Sequence, residues 1–158
     1  GINKNNAAAF MTDEEWFDVL HTNLTGAFFV SRYFLTHFIG NRFGRFLHIS
    51  SLASDGSSGQ INYAAAKAGL LGLSRTIAKE YGSKGITSNV VIPGVFITDM
   101  TKQNLSKALE EFWLKFCPAK RVGDMAELTR LCVFLSGADA SFVNGEAIRV
   151  TAGLNYSP

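Results

Sequence analysis

The chain is predicted to fold as a single α/β domain, residues 1–158, built on a doubly wound parallel sheet. Three observations predict it. Apolar residues at helical spacing alternate with short apolar runs, in the order αβαβ(α)αβ. One run, Ile86 to Ile92, is apolar at several consecutive positions, as a parallel strand covered on both sides requires. A length of 158 residues with 47% hydrophobic and 12% aromatic side chains suffices for one core.

Thr12-Asp-Glu-Glu15 has the form of a capping box, which starts a helix by satisfying its first free N–H groups. Trp16, Phe17, Leu20, Leu24, Phe28 and Phe29 then recur at helical spacing, so the helix is expected to run to about Phe38. Arg45 to Ile49, between Gly44 and Ser50-Ser51, reads as a buried strand. Ala53 to Gln60 is rich in Ser and Gly and reads as a loop. A second helix is expected from Ile61 to about Tyr81, with Ala64, Ala65, Ala66, Ala68, Gly69 and Gly72 forming a small-residue face open to close helix approach. Gly82 and Gly85 punctuate its end, and Ile86 to Ile92 follows as a strand. Leu105, Leu109, Phe112, Trp113 and Phe116 form an amphipathic helix inside the segment 98–120, which is expected to lid a pocket. A helix from Asp124 to about Leu135 and a strand from Glu146 to Thr151 complete the chain.

Composition excludes several roles. A formal net charge of +2 is too small for a nucleic-acid partner. Arg32 interrupts the longest apolar stretch, Leu24 to Leu35, which falls short of the ~18 residues of a membrane span. Cys117 and Cys132 have neither metal-ligand nor redox spacing and read as packed free thiols suited to a reducing, cytoplasmic setting. His21, His37 and His48 lack metal spacing. Three Asn-x-Ser/Thr triplets, at Asn23, Asn104 and Asn155, are discounted as chance matches.

Tyr63 and Lys67 stand four residues apart on the second helix and so share a face. A protonated lysine there favours the phenolate and is expected to move the phenol from ~10 toward neutrality, making Tyr63 a general acid or base. Asn23 lies inside the first helix, where a buried amide needs partners. Ile49-Ser50-Ser51 ends the first strand, and Asn89-Val-Val-Ile-Pro93-Gly94-Val95 is a strand stopped by a turn.

Together these residues resemble the short-chain dehydrogenase/reductase family, in particular its 3-oxoacyl-acyl-carrier-protein reductase branch. The resemblance implies a Rossmann-like doubly wound sheet of which this chain holds the C-terminal half, strands 5, 6 and 7 with their helices. Gly1-Ile2 is similar to the end of the family's Asn-Asn-Ala-Gly stretch, and no Gly-x-x-x-Gly-x-Gly occurs in the sequence. The nearest approach, Gly40 to Phe46, lacks the third glycine, follows a helix and reads as a loop. Half a sheet leaves the strand Arg45 to Ile49 with a hydrophobic edge, so the chain alone is expected to be marginal, aggregation-prone or rescued by association.

The resemblance further implies a site. Tyr63 donates the proton while Lys67 lowers its pKa and meets the nicotinamide ribose. Ser51, with Ser50 as the alternative, orients the carbonyl, and Asn23 anchors a water linking Lys67 to solvent. Pro93, Gly94, Ile97 and Thr98 pass the nicotinamide of an NADP or NAD cofactor. Phe96 and Met100, with Trp113 and Phe116, either shape an acyl pocket or simply pack. Lys102, Lys107, Lys115, Lys120 and Arg121 either meet an acidic carrier protein or form a solvated face. Homo-oligomerisation through the two long helices and the last strand is implied too, and the competing function is a non-catalytic self-association module. Thr151-Ala-Gly153 departs from the family's Asp-Gly-Gly, with an effect expected to stay within packing or the subunit interface.

Overall fold

The structure, a computed structural model, describes residues 1–97 and 107–154. Helix α1 (Asp13–Leu20), a π-helical turn (His21–Thr25) and α2 (Gly26–Asn41) form one continuous helical run. Strand β1 (Gly44–Ile49) and a 3-10 turn (Leu52–Asp55) lead to α3 (Ile61–Tyr81) and β2 (Ile86–Pro93). Helix α4 (Lys107–Phe116), α5 (Met125–Ser136) and β3 (Ala147–Val150) follow. The three strands are parallel in the order β1-β2-β3, with Gly44 opposite Ile86 and Val90 opposite Ala147.

The capping box forms as the sequence predicts: Thr12 Oγ1 accepts from Glu15 N at 3.2 Å, and Glu15 Oε2 accepts from Thr12 N at 2.9 Å. A second one, which the sequence reading passed over, starts α5 with Asp124 and Glu127. The loop expected from Gly40 to Phe46 is a correction. Gly40 and Asn41 end α2, Gly44 starts β1, and the chain turns only at Arg42 and Phe43, with Arg42 in the left-handed region at φ 50°.

Strand β2 is the centre of the core because its alternate side chains bury on opposite faces. Ile86 packs with Phe46 and Ile77 on the α2–α3 side, while Val91 packs with Leu135 and Ala140 on the α5 side. Its polar residues hold the approach to β3. Asn89 Nδ2 donates to Val143 O at 2.8 Å and its Oδ1 accepts from Glu146 N at 3.0 Å; Asn144 Oδ1 accepts from Ser88 N at 2.8 Å. The small-residue face of α3 is used at Gly69, where a Cβ would come within 2.7 Å of Leu24, whereas Gly72 faces open space. β1 has a strand neighbour on one side only, so its outer edge is unpaired among the described residues. No described helix is long and apolar enough to cross a membrane.

Thr98, Met100, Lys102 and the triplets at Asn104 and Asn155 lie outside the described residues, as does the first part of the expected lid segment. The departure at Thr151-Ala-Gly153 makes a tight turn after β3. Ala152 is left-handed at φ 52°, and a Cβ on Gly153 would reach 2.8 Å from Pro118.

Candidate active site

The C-terminal end of β1 and the first turns of α3 build the site. Successive residues of an extended chain point to opposite sides, and this separates the two serines. Ser50 is buried; its N–H donates to Val91 O at 2.8 Å and its hydroxyl to Lys67 O at 2.9 Å, pinning β1 to β2 and α3. Ser51, extended at φ −160° and ψ 158°, caps the 3-10 turn by accepting from Ala53 N at 3.2 Å. Its hydroxyl also acts on the Tyr63 phenol, favouring the ionised form. Of the two serines, Ser51 is the one that acts on the Tyr63 phenol, while the Ser50 hydroxyl is spent on Lys67 O.

Tyr63 and Lys67 are half-buried on the same face of α3, with Lys67 Nζ 5.5 Å from the Tyr63 ring centroid. The ammonium donates to Ile49 O at 2.8 Å, the carbonyl at the end of β1. Burial pushes the Tyr63 phenol above its ordinary value, with the Ser51 hydroxyl opposing it, and burial pushes Lys67 below its own. The expected depression of Tyr63 by Lys67 is therefore corrected. The strand-end carbonyl gives the ammonium a nearer partner, and desolvation of the phenolate outweighs the rest.

Asn62 is a residue the sequence reading missed. It is fully buried beside Tyr63, donating from Nδ2 to Lys4 O and Glu15 O at 3.0 Å each, while Tyr63 N donates to its Oδ1 at 2.7 Å. One amide thus ties the Tyr63 turn to α1 and to the N-terminal segment. The signal available in sequence was an asparagine in the first turn of a helix, a position where its side chain commonly serves backbone groups.

Asn23 is buried in the π-helical turn, where both amide atoms are taken by one residue: Ile2 N donates to Oδ1 at 3.0 Å and Nδ2 donates to Ile2 O at 2.7 Å. Asn23 and Lys67 line the same cavity of about 330 Å³ beside β1, together with His48 and Gly1. His48 is buried against Phe46 with its pKa lowered by desolvation.

The turn after β2 sits across the sheet end. Gly94 N donates to Val150 O at 2.9 Å, and a Cβ at Gly94 would lie 2.9 Å from Thr151 Cα. Pro93 ends β2 opposite Val150, and Ile97 is 37% exposed. Phe96 is buried with its ring over Gly123. With Trp113, Arg121, Arg149 and Thr151 it lines a separate cavity of about 270 Å³ that Tyr63, Ser51 and Lys67 do not border. Phe116 is half-exposed on α4, edge-on to Phe112 at 5.0 Å. Of the basic residues, Lys120 donates to Leu114 O and Lys115 O at the end of α4, and Arg121 pairs with Glu127 at 2.6 Å. That pair holds the Glu127 carboxyl down at about 2. Cys117 and Cys132 are free thiols, the first buried, and no metal-ligating cluster occurs among the described residues.

Comparison with known proteins identifies the family and the fold. The sequence model of the enoyl-(acyl carrier protein) reductase family matches residues 1–155. The 3-oxoacyl-acyl-carrier-protein reductase FabG of Haemophilus influenzae is 41% identical over 99% of this chain and 65% of its own length. That of Pseudomonas aeruginosa is 40% identical over 99% of this chain and 64% of its own. The crystal structure of the TT0495 protein from Thermus thermophilus superimposes with a TM-score of 0.92 at 30% identity, covering 98% of this chain and 66% of that one. The chain thus spans just under two thirds of the relatives it matches. By sequence and by fold, the chain belongs to the short-chain dehydrogenase/reductase family.

Proposed function

We propose that this chain is the catalytic part of an NAD(P)-dependent oxidoreductase that reduces the ketone of a 3-oxoacyl thioester, with Tyr63 as general acid. The observation that carries the reading is a half-buried Tyr63 with Lys67 Nζ 5.5 Å from its ring and tied to the end of β1, where the Ser51 hydroxyl acts on the phenol. A nicotinamide dinucleotide, when bound, supplies the hydride. The residues fit its nicotinamide-ribose end: Ile49 O is the one acceptor Lys67 Nζ meets among the described residues, so two of its N–H donors stay available. Main-chain groups of Pro93, Gly94 and Ile97 lie on the neighbouring turn, with Thr98 proposed to continue that contact toward the phosphates. NADP and NAD both suit these groups.

As hydride reaches the carbonyl carbon, the C=O π electrons move to oxygen. Tyr63 transfers its hydroxyl proton there, leaving a phenolate and an alcohol. Ser51 donates to the developing oxyanion. The Lys67 ammonium favours the phenolate left behind, and Asn23, beside the same cavity, is proposed to hold the route by which a proton returns from solvent. Phe96 acts behind the site as packing, Met100 is proposed to line the acyl chain, and the carrier-bound thioester is the proposed substrate form.

In the full-length protein supplied with NADPH and acetoacetyl thioester, loss of nicotinamide absorbance should depend on the thioester. Ser51→Ala should lower kcat by about 10²-fold, the scale of losing one oxyanion donor, whereas Ser50→Ala should act mainly on thermal stability. Equal kcat losses in the two variants, or thioester-independent oxidation, would remove this reading.

Self-association has its own support. Phe28, Phe29, Tyr33 and Phe34 on α2 are 42%, 52%, 79% and 44% exposed, a concentration of aromatic surface that water does not favour. A second copy of the chain is the proposed partner. Sedimentation should give an oligomer that Phe29→Asp with Tyr33→Asp dissociates; a monomeric parent would refute it.

A further inference from the structure

Resting on the reading of Ser51 given above, we propose that Asp55 and Arg149 are positioning residues, an ion-pair clamp that holds the Ser51 turn in place against Tyr63. Arg149 stands on β3 opposite Ile92, and its Nη2 donates to Asp55 Oδ2 at 2.5 Å across 94 positions of sequence. Asp55 is the last residue of the 3-10 turn that Ser51 caps. The turn is otherwise held by its own hydrogen bonds, Ser54 N to Ser51 O and Gly56 N to Ala53 O at 3.0 Å each and Ala53 N to Ser51 Oγ at 3.2 Å, and by burial of Leu52 and Ala53. Beyond Asp55 the chain enters a segment with Gly56 at φ 111° and Gly59 at φ 73°, and Asn6 N donates to Gly59 O at 2.9 Å where it rejoins the N-terminal segment.

Both partners are substantially exposed, with side chains 40% and 49% accessible, so the pair adds little to global stability. Its geometric effect is larger than its energetic one. A guanidinium is a planar fork anchored on a sheet strand, and it fixes the far end of a turn only four residues long. The near end carries the hydroxyl whose direction decides whether it meets the phenol. Arg149 also borders the 270 Å³ cavity lined by Trp113 and Leu114 of α4 and by Phe96 of the turn after β2.

The test is the ionisation of Tyr63 followed by NMR in the full chain labelled at the tyrosine Cζ. The four tyrosines give few signals, and Tyr63→Phe assigns the relevant one. Ser51→Ala should raise the titration midpoint of Tyr63, because its hydroxyl favours the phenolate. Asp55→Asn and Arg149→Met should each raise it in the same direction by about half a pH unit, a partial loss of the Ser51 effect. Exchanging the charges, Asp55→Arg with Arg149→Asp, should bring it back. Glu127→Gln, which breaks another exposed ion pair, should not move it. If Ser51→Ala shifts the midpoint and neither clamp variant does, the clamp is wrong and the reading of Ser51 stands. If Ser51→Ala leaves it unmoved, the Ser51–Tyr63 contact fails and the clamp with it. Should Arg149→Met not fold, Asp55→Asn at the exposed end decides alone.

Discussion

Tyr63→Phe is expected to lower turnover of the full-length enzyme by about 10²–10⁴-fold, the contribution of a well-placed general acid, with a much smaller change in nicotinamide affinity. The substitution keeps the ring, its half-buried place on α3 and the Lys67 ammonium over its face, and removes only the proton donor. The affected parameter should be kcat, because the hydroxyl acts on charge that develops in the transition state. The pH profile follows from the same group. Burial raises the Tyr63 pKa, so the phenol stays protonated through neutrality. Reduction should be level there and fall only at or above the ordinary tyrosine range near ~10. Retained turnover in Tyr63→Phe, or a profile already falling below neutrality with that step lost in the variant, would show that another group gives the proton.

Gly85→Ala is expected to be the most destabilising single methyl in the described chain, costing roughly 3 kcal/mol or more. Gly85 ends the turn between α3 and β2 in the left-handed region at φ 77°, where a Cβ costs ~1–2 kcal/mol on conformation alone. That Cβ would also stand 2.2 Å from Arg42 O, a backbone atom that no side-chain rotation can clear. Arg42 is itself left-handed at the end of α2, and Gly44 pairs with Ile86, so two turns press together where the parallel ladder begins. Relief would have to shift the register of β1 against β2. Gly72→Ala is the matched control, since its Cβ meets nothing within 4 Å on an exposed helix position, and it should be neutral or stabilising by ~0.5–1 kcal/mol. Urea denaturation of the two variants side by side checks the contrast; equal midpoints would sink it.

The fold was legible where the pattern was local and repeated. The Thr12 capping box, the 21-residue α3 and the apolar run of β2 each announce themselves by spacing. The turn at Arg42–Phe43 was not, because a left-handed arginine carries none of the glycine chemistry that marks such a bend. Within the site, the sequence named Tyr63, Lys67 and a pair of serines, but the choice between Ser50 and Ser51 depends on which side of an extended chain each faces. Its answer comes from partners at Val91 and Lys67, far away along the chain. The ionisation of Tyr63 was misjudged for a related reason. Helical spacing puts two side chains on one face but is silent about a third group, here the Ile49 carbonyl, that competes for the ammonium. Asn62 escaped because its partners, Lys4 and Glu15, belong to segments that only folding brings beside it.

The widened turn at His21–Thr25 fixes a length. Were its five residues to wind as ordinary α-helix, with none removed, everything downstream would rotate by close to one residue's ~100° about the axis. Phe38 would swing off Phe46, and the amide of Asn23 would no longer span both main-chain groups of Ile2. The widened turn therefore absorbs one additional residue while keeping the two halves of the rod in phase, and it leaves Asn23 turned toward Ile2.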